Sequence, residues 1–445
     1  MSIKLDIIPV VMRLPLKFGA ETIDSIKIAH VEFSAYGSTG IGETPLSVAW
    51  AWPSQLSFAE REKVMCDFCR FLAENYDVPE QHPMTAGKMF LDGKLPMLHE
   101  KFNAANHTDM PHLAALICAS AFDIAIHDAY GKSQGQPVYR LYNSKYMEHD
   151  LAWFYDDPAF AGKYPEDYFV PVPDSLPVWH LVGGKDLLTE AELTGSEPQD
   201  GYPVTLVDWI KRDGLKCLKI KLTGKDPVWD YDRVVSVGRI AIEYGCDSLS
   251  PDFNCQVTDP QYVNDILDRL KAEEPEIFDL LIYVEQPFPY DLEANRIDVH
   301  SCSERKPLFM DESAHDWRFV RMGRELGWES VALKSCKTLA GAILSLCWAK
   351  AHKMQLMVQD LTNPRMSMFA HTQLAAYAGT IRGVECNAPQ FYPAASLPDE
   401  KFYPGLFERR NGVVKLDFLE EPGLGIREGI INIDLPAPAA EEGKL

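Results

Sequence analysis

A chain of 445 residues with 43 basic against 65 acidic side chains has a formal charge of -22, a balance that argues against a general nucleic-acid or anionic-membrane partner. The length suffices for two or three domains and a large core. Residues 1–19 lack the pattern of a signal peptide and the longest uncharged apolar segment, 338–349, is too short to span a bilayer, so a cytoplasmic location is expected. The ten cysteines are scattered through predicted helices and strands, which predicts reduced thiols. Cys66 and Cys69, the one tight pair, are expected to be buried in a helix.

Residues 3–15 and 26–34 read as strands, and Tyr36-Gly37-Ser38-Thr39-Gly40 supplies a turn before Ile41-Gly42-Glu43, giving an antiparallel opening. The loop between Thr44 and Pro53 carries Trp50 and Trp52, aromatic residues that pack onto a neighbour or cover a ligand. Helices are predicted over 58–76 and 112–130. In the second, Ala114, Ala115, Ala119, Phe122, Ile126 and Ala129 recur at helical spacing, and Gly131 is its expected stop. These elements make an α+β domain over 1–148. Residues 150–176 hold no period and read as an ordered insertion, 177–182 as a first barrel strand, and 183–201 as a long polar loop at the catalytic face, before a helix over 204–213.

From Leu215 onward strand, helix and charged strand end recur about every 25–30 residues, the rhythm of a (β/α) barrel. The expected barrel covers 149–394, and residues 395–445 form a C-terminal segment of loop and short strands. The first regular strand is Cys217-Leu218-Lys219-Ile220-Lys221-Leu222. Its leucines and isoleucine share one face and its two lysines the other. A lone strand of this kind turns its lysines to water. Here four more apolar runs follow, each ending in a charge: Asp252, Glu285, Asp311 and Lys334. In a barrel such strand ends converge on the active site.

Three carboxylates at equal height on consecutive strands repel one another unless a cation joins them. Asp252, Glu285 and Asp311 offer only oxygen, so a hard ion, Mg²⁺ with Mn²⁺ as the alternative, is the natural occupant. Lys221 and Lys334 then flank that ion on opposite sides. A lysine with a reference pKa near ~10.4 is a poor base. The neighbouring Lys219 charge, the ion and partial burial are expected to move Lys221 toward the roughly 7 to 8 of a general base. A positioned base contributes about 3 to 5 kcal/mol of the about 8 to 23 that enzymes remove from a barrier. The remainder is expected from stabilising a dianionic enediolate with the ion and Lys219.

The segments Lys219-Ile220-Lys221, Asp252-Phe253-Asn254, Val284-Glu285-Gln286-Pro287, Met310-Asp311-Glu312-Ser313 and Leu333-Lys334-Ser335-Cys336-Lys337 together resemble the motif series of the enolase superfamily, muconate lactonizing enzyme subgroup. Gly40-Ile41-Gly42-Glu43, the helix ending Asp128-Ala129-Tyr130-Gly131-Lys132 and Pro422-Gly423-Leu424-Gly425 extend the resemblance over nearly the whole chain. It implies an α/β fold, a modified (β/α)7β TIM barrel with an α+β capping domain built from both termini. It also implies Asp252, Glu285 and Asp311 as metal ligands, Lys221 and Lys334 as an acid/base pair, and Lys219 as electrostatic support, chemistry that is general to the superfamily. Phe18, Trp50 and Trp52 would meet the substrate, with Asn254, Asp360, Glu385 and Asn387 around the site.

The implied reaction is proton abstraction α to the carboxylate of a small-molecule substrate by a homo-oligomeric enzyme. A racemase or epimerase of amino-acid or dipeptide type suits two opposed lysines. Dehydration of an acid sugar or hydroxy acid, or cycloisomerisation, would pass through the same intermediate. A non-catalytic binding protein would have lost a ligand or a base, and all five positions are present. Three departures stand out: the long region 150–201, which could add a lid; the charge of Asp360 at the seventh strand end; and Glu385-Cys386-Asn387, where dipeptide epimerases carry Asp-x-Asp for a substrate ammonium.

Overall fold

A computed structural model describes residues 2–18 and 21–427, with only the backbone at 17 and 18. Strands β1 (Ser2–Phe18), β2 (Glu21–Ala35) and β3 (Ser38–Pro45) form an antiparallel sheet in the order β1-β2-β3. Helix α1 (Phe58–Asn75) starts with a capping box, Ser57 accepting the Glu60 N–H and the Glu60 carboxylate accepting that of Ser57. Cys66 and Cys69 on this helix lie in the apolar core between it and the sheet, and all ten cysteines are free thiols.

Helix α2 (His112–Ser133) lies against both the sheet and the barrel. By length and composition it could cross a bilayer, but 94% of its apolar window is buried within the protein. Its alanines let the sheet approach closely. A Cβ on Gly40 would come 2.0 Å from Ala125 O, and one on Gly42 2.0 Å from Ala121 O. The helix runs past Gly131, its expected stop, because that glycine serves packing: a Cβ there would be 2.6 Å from Gly423 Cα.

Eight parallel strands form the curled sheet of the barrel: β4 (Ser175–Val182), β5 (Cys217–Lys221), β6 (Ser248–Asp252), β7 (Val284–Glu285), β8 (Leu308–Met310), β9 (Ser330–Leu333), β10 (Gln355–Val358) and β11 (Val384–Glu385). They follow the order β10-β9-β8-β7-β6-β5-β4-β11, and Ile381 N donates to Leu356 O across the β10–β11 gap at 2.9 Å. Around them run α3 (Leu206–Asp213), α4 (Pro227–Glu243), α5 (Pro260–Glu273), α6 (Trp317–Glu325), α7 (Leu339–Ala351) and α8 (Ser367–Ala378). Asp226 and Asp259 cap α4 and α5, each just before a proline at the first helical position. Leu218, Ile220, Leu249, Val284 and Val331 face the helices, while Trp179, Cys217, Tyr283, Phe309 and Met357 fill the interior.

The insertion divides in two. Its first part holds the short helix Leu151–Tyr155 and packs on the helical layer, with Tyr155 donating to Leu344 O at 2.6 Å and Val170 N to Tyr377 O at 3.1 Å. It is therefore a side buttress and not the lid that its length suggested. The second part, 183–201, follows the carboxyl end of β4. The C-terminal segment first adds β12 (Val413–Lys415) antiparallel to β4, then reaches the cap, where Leu424 N donates to Asp128 Oδ1 at 2.7 Å.

The cap also grips the barrel through α2: Ser120 Oγ donates to Ser335 O at 2.6 Å, and Ala340 N donates to Asp123 Oδ2 at 2.9 Å. Burial pushes the Asp123 carboxyl up to about 7 although backbone N–H groups oppose the shift. Two outcomes follow. Gly40→Ala or Gly42→Ala should cost roughly 3 kcal/mol or more in chemical denaturation, whereas Gly93→Ala, where a Cβ meets nothing within 4 Å, should stay within about 0.5 kcal/mol. The folded protein keeps the Asp123 proton over a range where the unfolded chain, at its usual 3.8, has lost it, so this group's contribution to stability falls as pH rises toward 7. Asp123→Asn should thus gain on the wild type between pH 4 and 7 and level off above, as measured by urea melts across that range.

Candidate active site

The period of two along each strand decides what the barrel mouth contains. On β5, Cys217, Lys219 and Lys221 point inward; on β6, Ser250 and Asp252; on β7, Glu285. Register aligns Lys221 with Asp252 and Asp252 with Glu285, so these charges stand at one height. Asp311 directly follows β8 and Lys334 directly follows β9.

Lys219 holds the centre. It is 2% exposed, and its Nζ lies 2.6 Å from Glu285 Oε1, 3.2 Å from Asp252 Oδ2 and 3.3 Å from Glu385 Oε2. Burial disfavours its charge, but Glu285, Glu385 and Asp252 outweigh that and raise its pKa well above the ordinary value. Lys221 Nζ donates to Asp252 Oδ2 at 2.5 Å. Burial works against ionising Asp252 too, yet the Lys221 and Lys219 charges hold it far below the usual carboxylate range. Glu285 is the exception: burial and the Asp252 charge raise it despite Lys219.

Across the mouth, Lys334 Nζ lies 3.2 Å from Asp311 Oδ2 and donates to Asp360 O at 3.0 Å. Burial opposes its charge, and Asp311 more than restores it, raising the pKa. Trp50 reaches in from the cap. Its Nε1 donates to Asp311 Oδ2 at 3.3 Å, and its ring lies 5.1 Å from Lys334 Nζ and 5.5 Å from Lys337 Nζ. Both indoles belong to the apolar core of the cap, and among the described residues that of Trp52 makes no hydrogen bond or cation contact at the mouth. The Phe18 side chain falls outside the described residues.

Asn254 has a left-handed backbone, φ 44°, that asparagine tolerates. Its N–H bonds Asp252 Oδ1 at 2.9 Å and its amide bridges Asp252 and Glu312 at 3.2 and 3.3 Å. Burial and the adjacent carboxylates push Glu312 up to about 7. Glu385 is bonded by Lys219, by Asn387 Nδ2 at 2.8 Å and by the Asp360 N–H at 3.1 Å. Asp360 proves to be a backbone brace rather than an inward strand-end charge: its two oxygens accept Asn363 N at 2.5 Å and Asn387 N at 2.6 Å. The inward residue at that strand end is Gln359, whose Nε2 donates to Glu285 and, at 3.2 Å, to Tyr283. Alternation from the interior Met357 would have pointed to it. Lys337 and Gln286 stand in the motif series but are given no role there. Lys337 donates to Asp311 O at 2.5 Å, and Gln286 Oε1 accepts the Asp311 N–H at 2.6 Å and the Ser313 hydroxyl at 2.8 Å.

The donor chemistry of Asp252, Glu285 and Asp311 fits a hard divalent cation: all oxygen, all buried, with Asp311 Oδ1 lacking a hydrogen-bond partner among the described residues. As they stand, however, no three or more His, Cys, Asp or Glu side chains among the described residues are arranged to hold an ion. In this arrangement the Lys219 ammonium lies between Asp252 and Glu285, at 3.2 and 2.6 Å.

Residues 204–428, just over half of the chain, match the model of the family described as enolase C-terminal domain-like. The chain belongs to that family. Among solved structures it is similar to the N-succinyl Arg/Lys racemase from Bacillus cereus ATCC 14579, with 18% identity, TM-score 0.64, and 97% of this chain and 96% of that one covered. It is similar also to the L-Ala-D/L-Glu epimerase from Bacillus subtilis in a substrate-liganded complex, with 18% identity, TM-score 0.62 and coverage of 96% and 98%. The dipeptide epimerase from Enterococcus faecalis V583, complexed with Mg and the dipeptide L-Leu-L-Tyr, matches at 17% identity, TM-score 0.62 and coverage of 95% and 98%. No curated protein matches the chain in sequence.

Removing Lys219 would leave Glu285 and Glu385 buried and short of a counter-charge, whereas Asp252 without Lys221 keeps Lys219. Lys219→Ala should therefore lose about 3–5 kcal/mol of stability and Lys221→Ala less than about 2. Equal losses in urea denaturation would contradict that division.

Proposed function

We propose that this protein is an enzyme that removes the proton α to a substrate carboxylate, and that it is a racemase or epimerase. The observation that carries the reading is the opposition of two lysines. Lys221 comes from β5 beside Asp252 and Lys334 from the end of β9 beside Asp311, with three strands between them. A planar α-carbon between them would have one ammonium or amine on each face. One lysine takes the proton from its face and the other returns one to the opposite face. Lys334, held protonated by Asp311, is poised as a donor.

Asp252, Glu285 and Asp311 would hold Mg²⁺, which when bound supplies a Lewis acid for the substrate carboxylate. Solved relatives complexed with Mg support this assignment. Lys219 adds a fixed positive charge next to that carboxylate, and Trp50 closes the Lys334 side against water. The strand-end device for a substrate ammonium does not carry over from dipeptide epimerases. Glu385 is already bonded to Lys219 and Asn387, and both Asp360 oxygens are taken by backbone N–H groups.

Exchange of the substrate α-hydrogen in D₂O, followed by proton NMR over a set of amino acids, N-acyl amino acids and hydroxy acids, tests the reading. The wild type should exchange both enantiomers of its substrate, lose activity with a chelator and regain it with Mg²⁺. Lys221→Ala and Lys334→Ala should each lose racemisation by at least about 10²-fold. Each should keep exchange only for the enantiomer facing the surviving lysine. Full racemisation in the Lys334→Ala variant would refute the proposal. Retained exchange with loss of a leaving-group step in both variants would replace it with elimination.

A further inference from the structure

A cavity of about 300 Å³ lies outside the carboxylate cluster, beside the end of β4. His180 and Val182, on one face of that strand, form a wall with Trp209 of α3, and Phe391 and Leu14 close it from the other side. The loop at 183–204 roofs it. That roof is fastened to β1 by Arg13, whose guanidinium pairs with Asp200 at 2.6 and 2.8 Å and donates to the carbonyls of Tyr202 and Pro203 at 3.0 Å. The end of β4 divides the cavity from the cluster: Leu181 N donates to Asn387 Oδ1 at 3.0 Å, and Leu181 O accepts from Gln390 at 3.2 Å.

Thr22, Lys185 and Glu197 also line the space, Lys185 being exposed, and two of its polar groups, Gln390 and Asp186, are incompletely paired. Gln390 is 5% exposed, and its Nε2 faces Leu181 O and, at 3.5 Å, Asp186 Oδ2. Both of these are acceptors, which fixes the amide orientation. Its Oε1 is then buried with no hydrogen-bond partner among the described residues. Asp186 accepts the Gly183 N–H at 2.8 Å. The neighbouring Arg233 directs its guanidinium to the backbone oxygens of Gly183 and Asp186, so among the described residues the Asp186 carboxylate has no side-chain cation bonded to it. A half-buried carboxylate that no side-chain cation bonds among the described residues, next to a buried amide oxygen with no donor there, favours a cationic N–H group. An anion would meet both of them as repulsion. The apolar walls suit an aliphatic or aromatic body, and the volume is that of a small ligand.

We propose that this cavity binds the ammonium end of a small primary amine with an apolar body, held by Asp186 and Gln390. The amine has two sources. It is the far end of the substrate, in which case the assignment rests on the reaction proposed above, or it is a separate small amine.

Isothermal titration of the full-length protein with hexylamine, hexanol and hexanoate tests the site without reference to activity. Hexylamine should bind at least tenfold more tightly than either analogue. Asp186→Asn, which still accepts the Gly183 N–H, should weaken hexylamine at least tenfold, and Leu187→Trp should block it by filling the cavity. Circular dichroism of both variants verifies that they are folded. Binding of hexanoate or hexanol as tight as that of hexylamine, no binding of any of the three, or unchanged affinity in Asp186→Asn would overturn the proposal. With 6-aminohexanoate, tightening by Mg²⁺ assigns the cavity to the substrate's tail, and affinity independent of Mg²⁺ assigns it to a separate amine.

Discussion

The barrel mouth depends on charge balance in a place with little water. Burying a carboxylate without a partner costs several kcal/mol, and a second like charge nearby adds to that. Asp252, Glu285, Asp311 and Glu385 are tolerable together because Lys219, Lys221, Lys334 and Lys337 are threaded among them. The lysines in turn are buried only because the carboxylates are there. Any cation taken up by the acidic groups competes with the ammonium groups for the same oxygens. That competition couples the protonation of the lysines to whatever the site binds.

The cap completes this arrangement rather than merely covering it. Trp50 lends a hydrogen bond to Asp311 and an aromatic face to two lysines. Helix α2 fixes the turn after Lys334 through Ser120 and the start of α7 through Asp123. Glu43, from the sheet, accepts the Met366 N–H at 3.1 Å and is bonded to His30 and Arg365. Each of these contacts is buried, so each constrains the barrel face more strongly than an exposed pair would.

Much of the site was legible along the chain because strand ends carry their charges in plain sequence. Lys221, Asp252, Glu285, Asp311 and Lys334 each close an apolar run that the barrel rhythm brings to its mouth, and the period of two along β5 puts Lys219 on the same inward face one layer below. Residues whose role comes from the loops and side-chain networks around them were not legible. Asp360 attracted attention as a charge, yet the neutral Gln359 is the residue that faces the mouth. Gln286 and Lys337 act by gathering backbone groups across strands, and no spacing encodes that. Trp50 and Trp52 are equivalent in sequence; both pack in the core of the cap, and Trp50 also reaches Asp311 at the mouth.

The sequence by itself determined the layer order, the barrel strands and the set of charged residues at its mouth, because period-two and helical patterns are local and burial enforces them. It also carried the family, through five short motifs in order. Only the tertiary structure decided that Lys219 stands between Asp252 and Glu285, that the insertion at 150–176 buttresses the side of the barrel, and that a cavity forms beside β4. Those outcomes depend on distances between groups far apart in the chain, such as the 166 positions between Lys219 and Glu385. A local pattern does not contain such distances; folding sets them.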